Sequence, residues 1–346
     1  MFKTLELIAK KFNDENITWA IGASLLLNHY GLVENPNDID ILVDLKDIKK
    51  VDDILKEMGK KKPDNPLNIY STRYFYEYEI EDIDIDVMAG FTINHDCGSY
   101  EYIFYPDAIN LFKNKENIVL PFTALEDWYI LYQLIPGREK KVDIIESYFM
   151  EKGVDKPQLL ERALNNTLPH EVITRTEILL KTEEQKREEL NKVLELRRQQ
   201  LFKESNELIV KLAKKYPQDS FVNYQCAWSF DVLGLESRAV PYYEKAIAGG
   251  LRDEDLQGAL LGLGSTYRTL GEYKKSRDTF ERALKLFPEN RAFNVFYAMT
   301  LYNLGEAAQG MEILLKDLVE TTEDENIKRY RNSITFYSDK LDTIWK

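Results

Sequence analysis

Apolar and polar positions follow two regimes along this 346-residue chain. In the first part, short apolar runs alternate with amphipathic stretches. The spacing predicts helices over residues 4–13, 24–30 and 48–58, and strands over 19–22 and 39–43. Three β-rich runs follow, at 70–80, 83–88 and 100–105, and then a helical region over 124–148. Helices interleaved with strands in this order predict an α/β domain on a mixed sheet.

From about residue 186 onward the pattern becomes purely helical and acquires a fixed period. Gly264, Tyr267, Gly271, Tyr273, Phe280, Ala283 and Pro288 are spaced as two packed helices would need. A small residue lets the pair approach, and a proline stops the second helix. Thirty-four residues further on stand Ala298, Leu301, Gly305 and Leu314. Thirty-seven residues back, across a three-residue insertion near Gly249 and Gly250, stand Ala227, Phe230, Gly234, Ala239, Tyr243 and Ala246. Another 34 back come Val193, Leu196, Phe202, Ile209 and Pro217. Four units in register over 186–320 resemble the tetratricopeptide repeat family, whose stacks form a concave surface for a peptide or protein segment. Tyr224, Trp228, Tyr267, Tyr297 and Tyr302 are candidates to line that surface, although most aromatics in such a stack pack between helices. Residues 325–345 read as one amphipathic capping helix. Gly262-Leu263-Gly264 lacks the third glycine and the preceding strand of a dinucleotide fingerprint.

The join is expected between the two regimes, giving a first domain over 1–165, a bridging segment over 166–185, and the repeats with their cap over 186–346. Thr182 followed by Gln185 has the spacing of a capping box, which predicts a helix start there.

Charge sharpens the division. Residues 1–180 hold 20 Lys and Arg against 32 Asp and Glu, while the remainder holds 26 against 27. Nearly all of the net charge of −13 is therefore in the first domain. Such a domain does not attract nucleic acid, whose phosphates need Lys and Arg, but it suits one that holds divalent cations in oxygen ligands. No apolar run approaches the roughly 20 residues of a membrane helix. The start of the chain does not read as a signal peptide, and Cys97 and Cys226 lie far apart in sequence. A reducing, cytoplasmic setting is the expectation. His29, His95 and His170 are scattered and form no catalytic pattern.

Two short features carry the chemistry. Gly22-Ala23-Ser24 follows a predicted strand and opens a helix, where a glycine permits close approach of a phosphate and the Ser hydroxyl and free amides can donate to it. Asp38 and Asp40 then flank Ile39 at the start of the next strand. Residues two apart on a strand share a face at about 6.5–7 Å, so the two carboxylates point together. Asp82, Asp84 and Asp86 alternate with Ile83, Ile85 and Val87 on a later strand and offer a third carboxylate. Adjacent like charges are unfavourable without a cation.

Gly-x-Ser, Asp-x-Asp on the next strand and a later isolated Asp resemble the signature of the DNA polymerase β-like nucleotidyltransferase superfamily. The gap between Ser24 and Asp38 is similar to that of its antibiotic-modifying and toxin-like members. The helices carrying Leu125-Glu126-Asp127-Trp128 and Arg138-Glu139-Lys140-Lys141-Val142-Asp143 are similar to those that follow the sheet there. The resemblance spans about residues 15–150. It implies a nucleotidyltransferase fold in which Asp38, Asp40 and Asp86 hold two Mg²⁺ ions, with Asp84 as the alternative third ligand. It implies also that Gly22 and Ser24 hold the phosphates of a nucleoside triphosphate, that Arg138 and Lys140 contact them, and that Asp127 or Glu126 is the base. The implied activity is transfer of a nucleoside monophosphate to a hydroxyl on a small molecule, a protein side chain or an RNA end. The acidity weighs against a large RNA, and the repeats favour a protein partner. Two other classes fit the same residues: an interaction scaffold with a degenerate nucleotidyltransferase fold, and a toxin or defence component regulated through the repeats.

Overall fold

The computed structural model describes residues 1–63 and 69–345. It divides into a unit over Met1–Glu184 and a unit over Gln185–Lys346. The first unit runs α1 (Phe2–Asp14), β1 (Trp19–Ile21), α2 (Ala23–His29), β2 (Ile39–Val43), α3 (Ile48–Met58), β3 (Lys60–Lys61), β4 (Tyr74–Ile80), β5 (Ile83–Ala89), β6 (Thr92–His95), β7 (Gly98–Glu101), β8 (Ile109–Lys113) and β9 (Val119–Thr123). Then come α4 (Leu125–Leu134), α5 (Glu139–Lys152), α6 (Pro157–Leu164) and α7 (His170–Arg198).

Among the described residues, seven strands make one sheet in the order β3-β4-β5-β2-β1-β9-β8. The two central contacts of β2 differ in sense: it runs antiparallel to β1 and parallel to β5. The sheet is therefore mixed, as the pattern predicts. Its interior follows from alternation. Ile39 and Ile41 on β2 and Ile85 and Val87 on β5 are buried, while Asp40 and Asp86 between them are only partly so. The Leu5, Ile8, Ala9 and Phe12 stripe of α1 is buried at helical spacing. Each such large side chain contributes about 1.5–3 kcal/mol by leaving water.

Several expected boundaries shift. The run at 70–80 narrows to Tyr74–Ile80, with Tyr70 forming only an isolated bridge to Ile93. The strand at 100–105 is Gly98–Glu101, and Pro106 opens a short 3₁₀ turn soon after it. The helical region at 124–148 is two helices, because Pro136 cannot continue α4 and Gly137 turns the chain at φ +75°. Strands β3, β6, β8 and β9 and helix α6 are additional to the sequence reading.

The second unit continues with α8 (Phe202–Lys215), α9 (Ser220–Val232), α10 (Glu236–Gly249), α11 (Asp253–Thr269), α12 (Tyr273–Leu286), α13 (Arg291–Asn303) and α14 (Ala307–Thr321). Two short helices close it, α15 (Glu325–Arg329) and α16 (Arg331–Tyr337). These replace the single capping helix expected over 325–345. The predicted helix start at Thr182 is also absent: α7 is continuous over 29 residues. The Thr182 hydroxyl donates back to the Ile178 carbonyl at 2.8 Å, a bond available only inside a helix.

The repeat positions explain the packing. A Cβ on Gly264 would meet the Phe280 ring at 2.6 Å, so glycine is what lets α11 and α12 close together. Ser276 donates to the Gly264 carbonyl at 2.7 Å, and Ser205, at the same repeat position, donates to the Val193 carbonyl at 3.1 Å. Tyr267 and Tyr297 are buried, with hydroxyls donating to Glu244 and Glu281, so they pack rather than line a surface.

Candidate metal and phosphate site

The carboxylates of Asp38, Asp40 and Asp86 converge at one edge of the β2–β5 pair. One oxygen from each lies within 4.8 Å of the others. The ladder sets this up directly, because Asp40 and Asp86 are register partners on neighbouring parallel strands. Asp38 joins them from the residue before β2. Asp84 does not: its carboxylate pairs with Lys62 and is largely exposed. Asp82 sits in the positive-φ turn between β4 and β5.

Burial first, and then the charges of Asp38 and Asp86, together push the Asp40 carboxyl up to about 8. The Asp86 carboxyl is raised to about 6, again by burial first and then by Asp38. Three oxygens held together against their own repulsion make a hard donor set that a divalent cation would satisfy. The donors present therefore fit Mg²⁺.

The Gly22 segment closes one side. Its amide donates to the Asp40 carbonyl at 3.0 Å, and the Ser24 hydroxyl donates to Asp38 Oδ1 at 3.0 Å. A Cβ at Gly22 would lie 2.4 Å from Trp128 Cζ2, so only glycine fits against that indole. Ala23 adopts φ +44°, a left-handed conformation that costs a side-chain-bearing residue on the order of 1–2 kcal/mol. Trp128 is anchored in turn, its Nε1 donating to Thr123 Oγ1 at 2.8 Å, while that hydroxyl donates to the Ile21 carbonyl.

On the α5 side the cation facing the aspartates is Lys141. Its charge acts on Asp40, its Nζ donates to the Tyr132 hydroxyl at 3.2 Å, and burial followed by the nearby Arg138 lowers its pKa. Arg138 is exposed, yet its charge acts on Tyr70 and Tyr132, which also feel Asp40. Lys140 is exposed. The sequence reading singled out Lys140 and passed over Lys141. The signal lay in the helical period, since Lys141 stands beside the buried Val142, whereas Lys140 points outward.

Asp127 and Glu126 form a different cluster. The Glu126 carboxylate accepts from the Lys156 amide at 2.8 Å. Burial, then the charge of Glu126, pushes the Asp127 carboxyl up to about 8, with the Tyr102 hydroxyl beside it.

Comparison with known proteins agrees with the helical half. Residues 220–341 match the family model for the tetratricopeptide repeat. Superkiller protein 3 of Saccharomyces cerevisiae is 26% identical over 108 residues, 29% of this chain, which spans only 7% of that protein's length. Among solved structures, a candidate nucleotidyltransferase of Thermotoga maritima aligns with 44% of this chain and 93% of its own, at 20% identity and TM-score 0.36. YrrB, a repeat protein with an unusual peptide-binding site, aligns with 55% of this chain and 89% of its own, at 13% identity and TM-score 0.37. MamA of Desulfovibrio magneticus aligns with 49% and 98%, at 17% and 0.37. The second unit is a tetratricopeptide-repeat solenoid, which suits a protein-interaction role. No helix among the described residues is long and apolar enough to cross a membrane.

Proposed function

We propose that the first unit is a Mg²⁺-dependent nucleotidyltransferase and that the repeats bring it to a protein or peptide partner. The observation that carries this reading is the convergence of the Asp38, Asp40 and Asp86 oxygens within 4.8 Å beside the Gly22–Ser24 turn. The motif resemblance, which draws on the same aspartates and on the helices after the sheet, supports the same reading.

In this reading Asp38, Asp40 and Asp86 would hold the cations, which neutralise charge on the transferring phosphoryl group when bound. Ser24, the amides opening α2 and Lys141 would grip the phosphates of the nucleotide. Arg138 stands near enough to assist. An acceptor hydroxyl would give up its proton to solvent and attack the α-phosphorus in line, while the bond to the α–β bridging oxygen breaks and pyrophosphate leaves. Trp128 under Gly22 keeps the turn at a fixed depth. Asp127 and Glu126, the candidate bases, lie in their own buried cluster, and the reading does not depend on them.

The test is calorimetric titration of ATP and of GTP into the full chain with Mg²⁺, repeated with Asp38→Ala/Asp40→Ala. Micromolar binding by the wild type that the double variant loses is the expected result, followed by transfer of label from the α-phosphate to a partner. Absence of binding by any nucleotide would remove the enzymatic role and leave the repeats as the working part.

A further inference from the structure

The repeat stack contains two arginines whose surroundings differ from those of its paired ones. Arg277 pairs with Glu306, and Arg291 pairs with Asp317 and Glu320. Arg197 and Arg268 are half-buried, and among the described residues neither has a carboxylate partner. Arg197 lies 4.3 Å from the Trp228 ring centroid and bonds the side chain and carbonyl of Gln225. Arg268 donates to Asn303 Oδ1 at a long 3.3 Å. In both, as in the paired Arg277, Nε is enclosed and has no acceptor among the described residues, so what distinguishes the two is the missing carboxylate. Burial with no carboxylate to offset it pulls the Arg197 guanidinium down to about 10.

The two occupy one position of the repeat. Stepping along the register from Arg197 gives Asp231, then Arg268 across the three-residue insertion, then Tyr302. All four lie on the first helix of each pair, namely the end of α7 and then α9, α11 and α13. Asp231 breaks the row's positive charge, but its oxygens are occupied by the hydroxyls of Tyr243 and Thr266. Tyr302 ends the row and is 71% exposed. A half-buried guanidinium without a counter-charge is costly, and an incoming carboxylate that reaches its terminal nitrogens offsets that cost.

We propose that this row docks an acidic, extended peptide, with one carboxylate on Arg197, one on Arg268, and an apolar or aromatic side chain beyond them against Tyr302. This rests on the reading of the repeats as a partner-binding surface and deepens it. Packed helices lie 8–10 Å apart, so the two arginines, separated by one intervening helix of the row, are roughly 16–20 Å apart. At about 3.3 Å per residue the peptide's two acids are then about five or six residues apart.

The experiment is fluorescence anisotropy of the full chain with a labelled alternating Glu-Ser peptide and its Gln-Ser counterpart, at low and high salt. The Glu-Ser peptide should bind at least tenfold more tightly, with the difference shrinking in salt. Arg268→Gln should weaken it on the order of tenfold or more, and Arg268→Lys should restore part of the loss. Arg197→Gln disturbs the stack on Trp228, so its effect is read beside a thermal melt, whereas Arg268→Gln should leave the melt unchanged. Equal binding of both peptides overturns the acidic assignment and leaves a peptide groove. Binding of neither overturns the groove as well. Self-association of the chain that Arg268→Gln abolishes, without peptide binding, overturns the peptide in favour of a second copy.

Discussion

The Ser24 hydroxyl donates to Asp38 Oδ1 at 3.0 Å, so the turn that opens α2 and the first acid of the cluster are physically joined. One side chain thereby touches both proposed functions of the site, carrying phosphate and fixing a metal-binding carboxylate. Removing it with Ser24→Ala should weaken Mg²⁺-nucleotide binding by roughly tenfold, the worth of a hydrogen bond to a charged group. The melting temperature should change by a few degrees at most. Titration of nucleotide into the variant checks this, and unchanged affinity would detach the turn from the phosphate.

Lys141 and Lys140 are neighbours with opposite expected effects. Lys141→Ala removes the cation that acts on Asp40 and should cost on the order of ten- to a hundredfold in nucleotide affinity. Lys140→Ala removes an exposed charge and should change affinity less than twofold. Parallel titrations compare them directly. The reverse ranking would return the role to the residue favoured by motif alone.

Gly22→Ala should destabilise the first unit. The added Cβ meets Trp128 at 2.4 Å and Leu42 at 2.8 Å, both in packed side chains, so the indole must move. Overpacking of this kind costs about 1–3 kcal/mol, readable in urea unfolding as a lower midpoint with an unchanged slope. A midpoint equal to the wild type would mean that Trp128 yields freely.

The buried acid of α4 gives a pH dependence with a definite sign. Asp127 is raised to about 8 in the folded chain, against about 3.9 when unfolded. The folded state therefore holds a proton that the unfolded state releases, and the associated stability, full below about pH 4, declines as pH rises toward about 8. Asp127→Asn keeps the neutral shape and should flatten that decline. Thermal melts across this range are the measurement. Asp40 and Asp86 are raised as well, so a residual slope should persist in the variant. Identical slopes in both proteins would mean that Asp127 is charged when folded.

Much of this was legible in residue order, for reasons that can be given position by position. Period-two alternation through Asp38, Ile39, Asp40 and Ile41 placed both acids on one face, and β2 has the predicted bounds of Ile39–Val43. A glycine at a fixed repeat position told of the α11–α12 contact, since Phe280 leaves no room for more. Choosing among Asp82, Asp84 and Asp86 was beyond the pattern, because it depends on the Asp40–Asp86 register and on Lys62 reaching Asp84. Strands β8 and β9 escaped because Lys113, Asn114 and Lys115 make that stretch read as loop, while pairing within the sheet supplies what local preference does not. Thr182 misled for the opposite reason: a local capping pattern was overridden by a helix already running.

Trp128 has a use beyond support. Its indole lies against Gly22 and is buried, and the first unit holds only one other tryptophan, Trp19, on β1. Whatever settles on the Gly22–Ser24 turn perturbs the environment of a natural fluorophore. With Trp19, Trp228 and Trp345 replaced by Phe, the tryptophan emission of the chain would come from the floor of the site. Occupancy could then be followed by light, nucleotide by nucleotide and metal by metal, before any acceptor is known.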